Sequence, residues 1–329
     1  MPSERASNQG ILHACKIEGD GHGAPLTGDA ISKTIKDDAL AWVHLDANDP
    51  ASRTWLEREI SYLDHIIIGA LLAEETRPRI LQFEEGALLI LRGVNLNEKA
   101  KAEDMISIRL WVDQHRIISL QRRPLKAIKD IQERLKDGKG PKNSGDFVVA
   151  LTSRLFERME PVFSELDERL DDAEERVMEA PDTAERQPIT EIRKQAIIFR
   201  RYIAPQRDVI AHLRTSEQPW LDQTHKRRLQ EALDQVIRYI EDLDTIRERA
   251  QIVKDELTSA LSDKMNKNLY VLSVIAAIFL PLGFLTGLMG INIGGMPGVD
   301  DANAFWIFSA MLIGVVAAQT ILFKKLKWF

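Results

Sequence analysis

Two long apolar runs near the carboxyl end of the chain constrain its fold more than any other feature. Residues 269–291 and 304–323 contain no charged side chain. Each run exceeds the roughly 18 residues that identify a transmembrane helix. A short glycine-rich segment that ends in Asp300 and Asp301 separates them. The sequence therefore predicts a membrane hairpin that follows a much longer polar, helix-prone region and places part of the protein in a lipid bilayer.

The lysines around the two apolar runs predict their orientation. Lys264 and Lys267 precede the first run, and Lys324, Lys325 and Lys327 follow the second, whereas the intervening segment contains no Lys or Arg. Basic residues that flank membrane spans stay on the cytoplasmic side. The amino-terminal end is polar, and no apolar signal-peptide region follows it. We expect a bacterial inner-membrane protein with both termini in the cytoplasm and a periplasmic loop.

Composition and motifs argue against several other classes of protein. The formal net charge of -6 argues against a general nucleic-acid binder. The single cysteine, Cys15, rules out an intrachain disulfide and fits a reducing compartment. The sequence has no phosphate-binding glycine loop, paired-cysteine motif or serine nucleophile elbow. We therefore expect neither an enzyme nor a bound cofactor.

Strand-like and helix-like segments in residues 1–140 predict a cytoplasmic α/β domain with a largely antiparallel sheet. Up to residue 28 the pattern is weak, apart from one strand-like segment at residues 12–17. The later strands are expected at residues 40–45, 79–83, 87–95, 104–112 and 117–120. The helices are expected at residues 52–60, 64–75 and 124–135, the last of them between Pro124 and Gly138.

After Pro141 the strand signals stop, and residues 141–267 predict long helices and a stalk. Residues 146–179 have no strand signal and are rich in Glu, Arg, Leu and Met. Helix is expected to continue over residues 181–216, with breaks or kinks at Pro188 and Pro205. From Trp220 to Pro281 no proline occurs, and apolar residues recur mostly at spacings of three, four or seven. These seam residues are Leu229, Leu233, Val236, Ile240, Leu243, Ala250, Val253, Leu257 and Leu261. A single helix over residues 221–289 would be on the order of 100 Å long.

These segments give a complete predicted domain organisation. An α/β domain is followed by a helical stalk, a pore-lining first span, a periplasmic loop, a second span and a cytoplasmic tail. The corresponding ranges are residues 1–140, 141–267, 268–291, 292–303, 304–323 and 324–329.

Two spans per chain cannot enclose an aqueous path, so transport would require several copies around one axis. The coiled-coil seam would provide the contact between copies, and the span that continues it would line the pore. At the end of that span Asn292 would offer a neutral oxygen to a hydrated cation. A plain helix-capping role for Asn292 is an equal alternative. Asp300 and Asp301 would concentrate cations at the outer mouth.

The sequence resembles the CorA superfamily of divalent-cation transporters, whose hallmark is Gly-Met-Asn at the end of the first of two spans. Here Gly290-Ile291-Asn292 keeps the glycine and the asparagine and has isoleucine in the middle. The glycine-rich string 290–298 is closer to the ZntB branch of zinc transporters. Further strings that resemble this branch are Glu75-Thr76-Arg77-Pro78-Arg79, residues 200–208 and Lys327-Trp328-Phe329.

The resemblance implies a funnel-shaped homopentamer with a selectivity filter at Gly290, Ile291 and Asn292. It also implies that the pore is lined by Gly283, Leu280, Ala276, Leu272, Leu269 and Asn266. Zinc would be the main substrate, with cobalt, nickel or cadmium tolerated. The resemblance favours proton-coupled uptake of zinc as the mechanism, and zinc efflux is the alternative direction. A magnesium or cobalt channel of the CorA type is the first alternative. A membrane-anchored cytoplasmic sensor or scaffold is the alternative from another class.

Neither apolar run contains a titratable group, although proton-driven transport usually places one in the membrane. We therefore expect any proton coupling in the stalk, at Asp255, Glu256 and Asp263, or through hydration of the pore. Weak candidates for a metal site lie in the stalk region. They are His212 and His225, and the acidic residues Asp171, Asp172 and Glu175, whose simpler interpretation is a solvated helix face.

Overall fold

The computed structural model describes residues 10–74, 76–291, 298 and 301–325. The chain divides into two compact units, Met1–Asp255 and Glu256–Phe329. Several predicted positions lie outside the described residues, namely Asn292, Asp300 and residues 326–329 of the predicted tail.

The first unit contains one seven-stranded sheet with the order β2-β1-β3-β7-β6-β5-β4. Every neighbouring pair is antiparallel except β3 and β7, which are parallel, so the predicted antiparallel character is confirmed. The strands are β1 (Ile11–Ile17), β2 (Gly23–Pro25), β3 (Ala41–Asp46), β4 (Arg79–Gln82), β5 (Gly86–Gly93), β6 (Ile106–Asp113) and β7 (Arg116–Gln121).

Three short helices cover one face of this sheet. They are α1 (Asp29–Lys36), α2 (Pro50–Glu59) and α3 (His65–Leu72). Asp49 and Asp64 cap α2 and α3, because each carboxylate accepts a hydrogen bond from the backbone N–H two residues later. Leu88, Trp111 and Leu120 lie on this face and belong to the same buried cluster as residues of all three helices. Strand β2 and helix α1 were not predicted; β2 has only three residues, too few to give an alternating pattern, and α1 lies directly after the weakly patterned first 28 residues.

The opposite face packs against α4 (Lys126–Lys136) and α5 (Ser144–Glu157). A side chain at Gly93 would come within 2.8 Å of Leu155 in α5, which shows how closely helix and strand approach. The rings of Trp42 and Phe147 meet edge to face at 4.9 Å between centroids.

A buried polar group lies on this face of the sheet. The Trp42 indole donates to the Ser119 hydroxyl at 2.8 Å, and His44 Nδ1 lies 2.8 Å from the same oxygen. Burial lowers the pKa of His44 to about 4. This histidine is therefore neutral in the folded protein near neutral pH, as a buried imidazole without a carboxylate partner should be.

Long helices follow the sheet, as predicted. The helical region over residues 146–179 consists of α5 and α6 (Glu160–Glu179), and α7 (Arg186–Thr215) runs through Pro188 and Pro205 without a break. Pro188 lies in the first turn of α7. The backbone N–H groups of a first turn have no acceptor within the helix, so the missing N–H of proline costs no hydrogen bond there. Helix α7 is therefore not broken at either proline, and a kink remains a prediction.

Helix α8 (Gln223–Met289) is the predicted long helix, and it contains 67 residues. Seam residues at seven-residue spacing, Leu229, Val236, Leu243, Ala250 and Leu257, are each at most 1% exposed in the single chain. Helices α6 and α7 contact α8 in the same chain, through the rings of Phe163 and Tyr239 at 5.3 Å between centroids and through the 2.7 Å ion pair between Arg200 and Asp244. The heptad pattern is confirmed, but its apolar seam is filled by the same chain. The expectation that this seam joins separate copies was wrong.

The second unit consists of the end of α8 and of α9 (Ala304–Lys325). Both helices are long and apolar enough to cross a membrane. Only 6% of the most apolar stretch of α8 is buried, and none of the corresponding stretch of α9. An apolar surface of this extent in contact with water would be strongly unfavourable, so it fits a lipid environment.

Candidate ion pathway

The predicted pore-lining residues share one face of α8. Their spacings of three and four residues keep them within one side of a helix with 3.6 residues per turn. Side chains on this face are uncovered in the single chain, with Leu269, Leu272 and Leu280 exposed by 53%, 62% and 71%. Ala276 is half-buried, while Asn266 and Gly283 are exposed.

Residues of α8 that are covered within the second unit lie on another face. Val274 is buried, and Ala277, Ile278, Leu282 and Leu285 are half-buried. At about 100° per residue this covered face lies roughly opposite the predicted pore face. The hairpin therefore leaves the predicted pore face open to another copy of the chain, to water or to lipid.

A hydrogen bond between the two apolar helices involves a residue that the sequence analysis did not single out. Pro281 lies inside α8 and has no N–H, so the carbonyl of Ala277 loses its usual helical donor. The side-chain amide of Gln319 in α9 donates to this carbonyl at 3.3 Å. A lone glutamine in an apolar run was the signal, because polar side chains in membrane helices usually bond to a neighbouring helix.

The hydroxyl groups of the first apolar run are engaged within their own helix. Ser273 donates to the Leu269 carbonyl at 2.8 Å, and Thr286 donates to the Leu282 carbonyl at 2.9 Å. Their oxygen lone pairs remain as acceptors, while their protons stabilise the backbone. Together with the lack of charge, this leaves a neutral, weakly polar surface that cannot hold a dehydrated ion tightly.

Helix α8 ends at Met289, one residue before the predicted filter. The backbone N–H of Gly290 closes the last turn on the Thr286 carbonyl at 3.0 Å, and Ile291 is exposed. Asn292 lies outside the described residues, so the three filter positions remain a prediction. Of the two acids at the predicted outer mouth, Asp301 accepts a hydrogen bond from the Asn303 backbone N–H at 2.8 Å, next to the start of α9.

The acidic metal candidates on α6 face a basic residue of α8. Arg249 donates to Asp171 at 2.5 Å, to Glu174 at 2.7 Å and to Asp167 at 3.1 Å. Hydrogen bonds to Asp171 and Glu174 raise the pKa of this guanidinium. Asp172 and Glu175 are exposed. These contacts favour ion pairs within the helical layer over a metal site.

The two histidine candidates differ in burial and in their hydrogen bonds. His225 is buried, and its Nδ1 accepts a hydrogen bond from the Asp222 backbone N–H at 3.1 Å, while His212 is exposed. Within the described residues, no three His, Cys, Asp or Glu side chains are grouped so that they could hold a metal ion. A metal role for these residues therefore remains a prediction without a coordination shell.

The candidate stalk acids Asp255, Glu256 and Asp263 are all exposed on α8. Asp255 accepts a hydrogen bond from the Gln251 side chain at 2.9 Å, one turn earlier. Because all three carboxylates are open to solvent in the single chain, any coupling to protons there would depend on a partner or on a neighbouring copy.

Comparison with known families identifies most of the chain. Residues 37–325 match the family model described as "CorA-like Mg2+ transporter protein". The chain is 35% identical over 321 residues to the zinc transport protein ZntB of Pectobacterium atrosepticum, covering 98% of this chain and 97% of that protein. It is also 35% identical over 330 residues to the divalent cation transporter CmaX of Pseudomonas aeruginosa, covering 99% and 98%.

Solved structures match the whole arrangement of elements. The full-length CmaX protein superposes with a TM-score of 0.84 at 35% identity, covering 97% of this chain and 98% of that one. The CorA magnesium transporter of Methanocaldococcus jannaschii superposes with a TM-score of 0.79 at 17% identity, covering 97% and 99%. At that identity the second match supports the fold alone. The same order of sheet-containing domain, long helix and two apolar helices recurs in these proteins.

Proposed function

Because the chain belongs to the CorA-like Mg2+ transporter family, we propose that it carries zinc across the bacterial inner membrane as a homopentamer with a central pore. The family consists of divalent-cation transporters rather than enzymes. Relatives named as zinc transport proteins cover 96 to 98% of this chain, which supports zinc as the main substrate. Cobalt, nickel and cadmium are the further ions that we expect to be tolerated.

The observation that carries this proposal is the uncovered face of α8. It is neutral, it is left open by the hairpin, and it leads to the Gly290-Ile291-Asn292 string. Copies arranged around an axis would cover this face and would line a path with neutral groups and leucine constrictions. Such a path suits a cation that keeps its water shell until it meets a ring of side-chain oxygens. We place both termini in the cytoplasm, in agreement with the flanking lysines.

Magnesium is the second candidate substrate, because the matching family model is named for magnesium transport. A neutral filter holds an ion through its water shell and so does not by itself exclude magnesium, which gives up its water reluctantly. The choice between zinc and magnesium therefore depends on a direct comparison of fluxes.

Purified full-length protein in liposomes provides this comparison. Zinc entry would be recorded with an enclosed zinc-sensitive dye, with and without an inward proton gradient, and magnesium entry would be recorded in parallel. We expect zinc flux that increases when the outside is acidic. Magnesium flux without zinc flux would favour the CorA-type channel, and the lack of flux for either ion would contradict transport and favour a sensor or scaffold.

The uncovered face can be tested by a matched pair of leucines. Leu280 lies on the predicted pore face, and Leu282 lies on the half-buried face of the same helix. We expect Leu280→Ser to increase cation leak, because it widens and wets a hydrophobic constriction. Leu282→Ser should instead lower the melting temperature with little leak. Equal leak in both variants would contradict the assignment of faces.

Proton coupling is the part of the proposal that concerns the stalk. We expect the triple variant Asp255→Asn, Glu256→Gln and Asp263→Asn to flatten the pH dependence of zinc flux. Asp29→Asn in α1 is the control, since it removes an exposed acid outside the stalk. An unchanged pH profile in the triple variant would move the coupling to hydration of the pore.

A further inference from the structure

A cavity of about 840 Å³ lies between α6, α7 and the segment that connects β5 to β6. We refer to it as the α6–α7 cavity. Its volume is within the range of small-molecule sites. Apolar side chains line part of it, and charged side chains line another part. The charged residues are Lys101, Glu103, Glu165, Arg169 and Glu191.

Glu103, in the segment between β5 and β6, has an unusual environment for an acid. It is only 7% exposed, and it lines the cavity. Its Oε1 atom accepts a hydrogen bond from the side-chain amide of Gln195 in α7 at 3.3 Å. It forms no ion pair with a residue in the described part of the chain. Burial of a carboxylate without a cationic partner costs free energy, so a cation inside the cavity would stabilise this group.

Arg169 in α6 provides a positive charge on the same cavity. It is half-buried, and its Nη1 atom donates to the amide oxygen of the same Gln195 at 3.1 Å. A guanidinium group has five N–H donors, and this bond uses one of them. None of the acids that the structure describes forms an ion pair with Arg169. Its charge is therefore available to an anionic group in the cavity.

Gln195 lies between these two opposite charges, which form no ion pair with each other. Its amide oxygen faces the guanidinium group of Arg169, and its amide nitrogen faces the carboxylate of Glu103. The two charged groups are thus separated by at most two hydrogen bonds and the width of one amide group. A neutral amide fixes their positions but does not cancel either charge.

Apolar side chains of both helices line the cavity beside these polar groups. Val162 and Leu166 belong to α6, and Phe199 belongs to α7. Leu166 comes three residues before Arg169, and Phe199 comes four residues after Gln195, so each lies one helical turn away on the same face of its helix. Leu166 and Phe199 are 3% and 1% exposed, which fixes them in the wall. A hydrocarbon group placed against this wall would be removed from water.

These charges argue against several classes of ligand. The acids of the cavity are not grouped so that three of them could hold a metal ion, within the residues that the structure describes. Glu165 is exposed, and Glu191 pairs with Lys194 at 3.7 Å, so Glu103 is the buried acid that needs a cation. A ligand with only negative charge would be repelled by Glu103, and a ligand with only positive charge would be repelled by Arg169. A ligand with one charge of each sign would satisfy both.

We propose that the α6–α7 cavity binds a free α-amino acid with an apolar side chain. The ammonium group of the ligand pairs with Glu103, and its carboxylate pairs with Arg169, whose planar guanidinium group matches two carboxylate oxygens. The two charges of an α-amino acid lie on neighbouring carbon atoms, so with one hydrogen bond at each end it spans a distance like that across the amide between these residues. Its side chain lies against Val162, Leu166 and Phe199.

Isothermal titration calorimetry on the purified full-length protein in detergent tests the proposal. The probes are L-leucine and L-phenylalanine, each with two analogues that lack one charge. For leucine, 4-methylpentanoate lacks the ammonium group and 3-methylbutylamine lacks the carboxylate. For phenylalanine the corresponding analogues are 3-phenylpropanoate and 2-phenylethylamine. We expect the amino acid to bind about tenfold or more tightly than either analogue, as expected for the loss of a charged hydrogen bond.

Two variants assign each charge of the ligand to one residue. Arg169→Gln should remove the preference for the amino acid over its amine analogue, because only the carboxylate distinguishes these two probes. Glu103→Gln should remove the preference over the carboxylate analogue, and it can still accept the hydrogen bond from Gln195. Each variant should keep the other preference, a pattern that general damage to the fold would not produce. The matched controls are Arg238→Gln and Glu168→Gln, which remove exposed charges outside the lining of the cavity.

Three results would overturn the proposal. One is that the wild-type protein releases no binding heat with either amino acid. Another is that it binds the singly charged analogues as tightly as the amino acids. The third is that Arg238→Gln or Glu168→Gln weakens binding as much as the cavity variants do. Because binding is measured without zinc or a membrane gradient, none of these results bears on the proposed transport function.

Discussion

At the scale of single residues, Asn292 carries the sharpest expectation for transport. Asn292→Ala should reduce zinc flux about tenfold or more while the proposed oligomer keeps its mass, because the proposed ring of side-chain oxygens would be lost and the backbone would not. Flux into liposomes and native mass spectrometry would measure the two effects. Asn268→Ala is the control, since Asn268 precedes the apolar run and is outside the predicted pore face. Undiminished flux in Asn292→Ala would favour the capping role.

His44 gives a second expectation, for the pH dependence of stability. Its folded pKa of about 4 lies below the ordinary value of 6.5. Above pH 6.5 the histidine is neutral in both states, so it adds no pH dependence. Between pH 6.5 and 4 the unfolded chain binds a proton at this histidine and the folded chain does not. The free energy of unfolding therefore falls by up to about 1.4 kcal/mol for each unit by which the pH is lowered.

Thermal melting of the full chain across this pH window would measure the His44 effect. His44→Asn should flatten the decline, because asparagine does not titrate and can still bond to Ser119. A residual slope is expected from His13, whose pKa is also lowered, first by burial and then by Lys136. A decline as steep as in the wild-type protein would contradict the assignment to His44.

At the scale of elements, the pairing of Pro281 with Gln319 makes a reciprocal prediction. Gln319→Leu should destabilise the hairpin by about 1 kcal/mol, because it leaves the Ala277 carbonyl without a donor in an apolar environment. Pro281→Ala restores a backbone N–H to that carbonyl. The double variant should therefore regain part of the loss, and melting temperatures of the four proteins would give the interaction energy. Additive effects would contradict the pairing.

The elements themselves were largely predictable from local signals. Strands β3 and β5 to β7 and helix α4 were predicted from β-rich runs and from the Pro-to-Gly boundary around α4, and α8 from its heptad spacing. Helix α7 continues through Pro205, next to the tertiary contact of Gln206 with Arg92, and a sequence rule for proline does not include such a contact. The grouping of Arg77, Arg92, Arg122 and Arg201 around one cavity was not predictable, because these residues meet only through strand register and helix docking.

At the scale of the whole molecule, the buried seam of α8 separates folding from assembly. Leu243 is fully buried within the single chain. Leu243→Ala should lower the free energy of unfolding by about 2–5 kcal/mol, as expected for a large-to-small change in a core. Melting would detect this loss, and native mass spectrometry of the remaining folded protein should give an unchanged oligomer. Dissociation into stable folded monomers would instead restore the seam as the contact between copies.

The buried seam also has a genetic consequence. A subunit weakened at the seam fails before it can join others, so in a cell with both wild-type and variant copies its defect should be recessive. A subunit altered only on the open face of α8 folds, joins the proposed ring and contributes a defective wall to every pore that contains it. Variants on that face should therefore be dominant, and the same helix would carry both classes of allele in successive stretches.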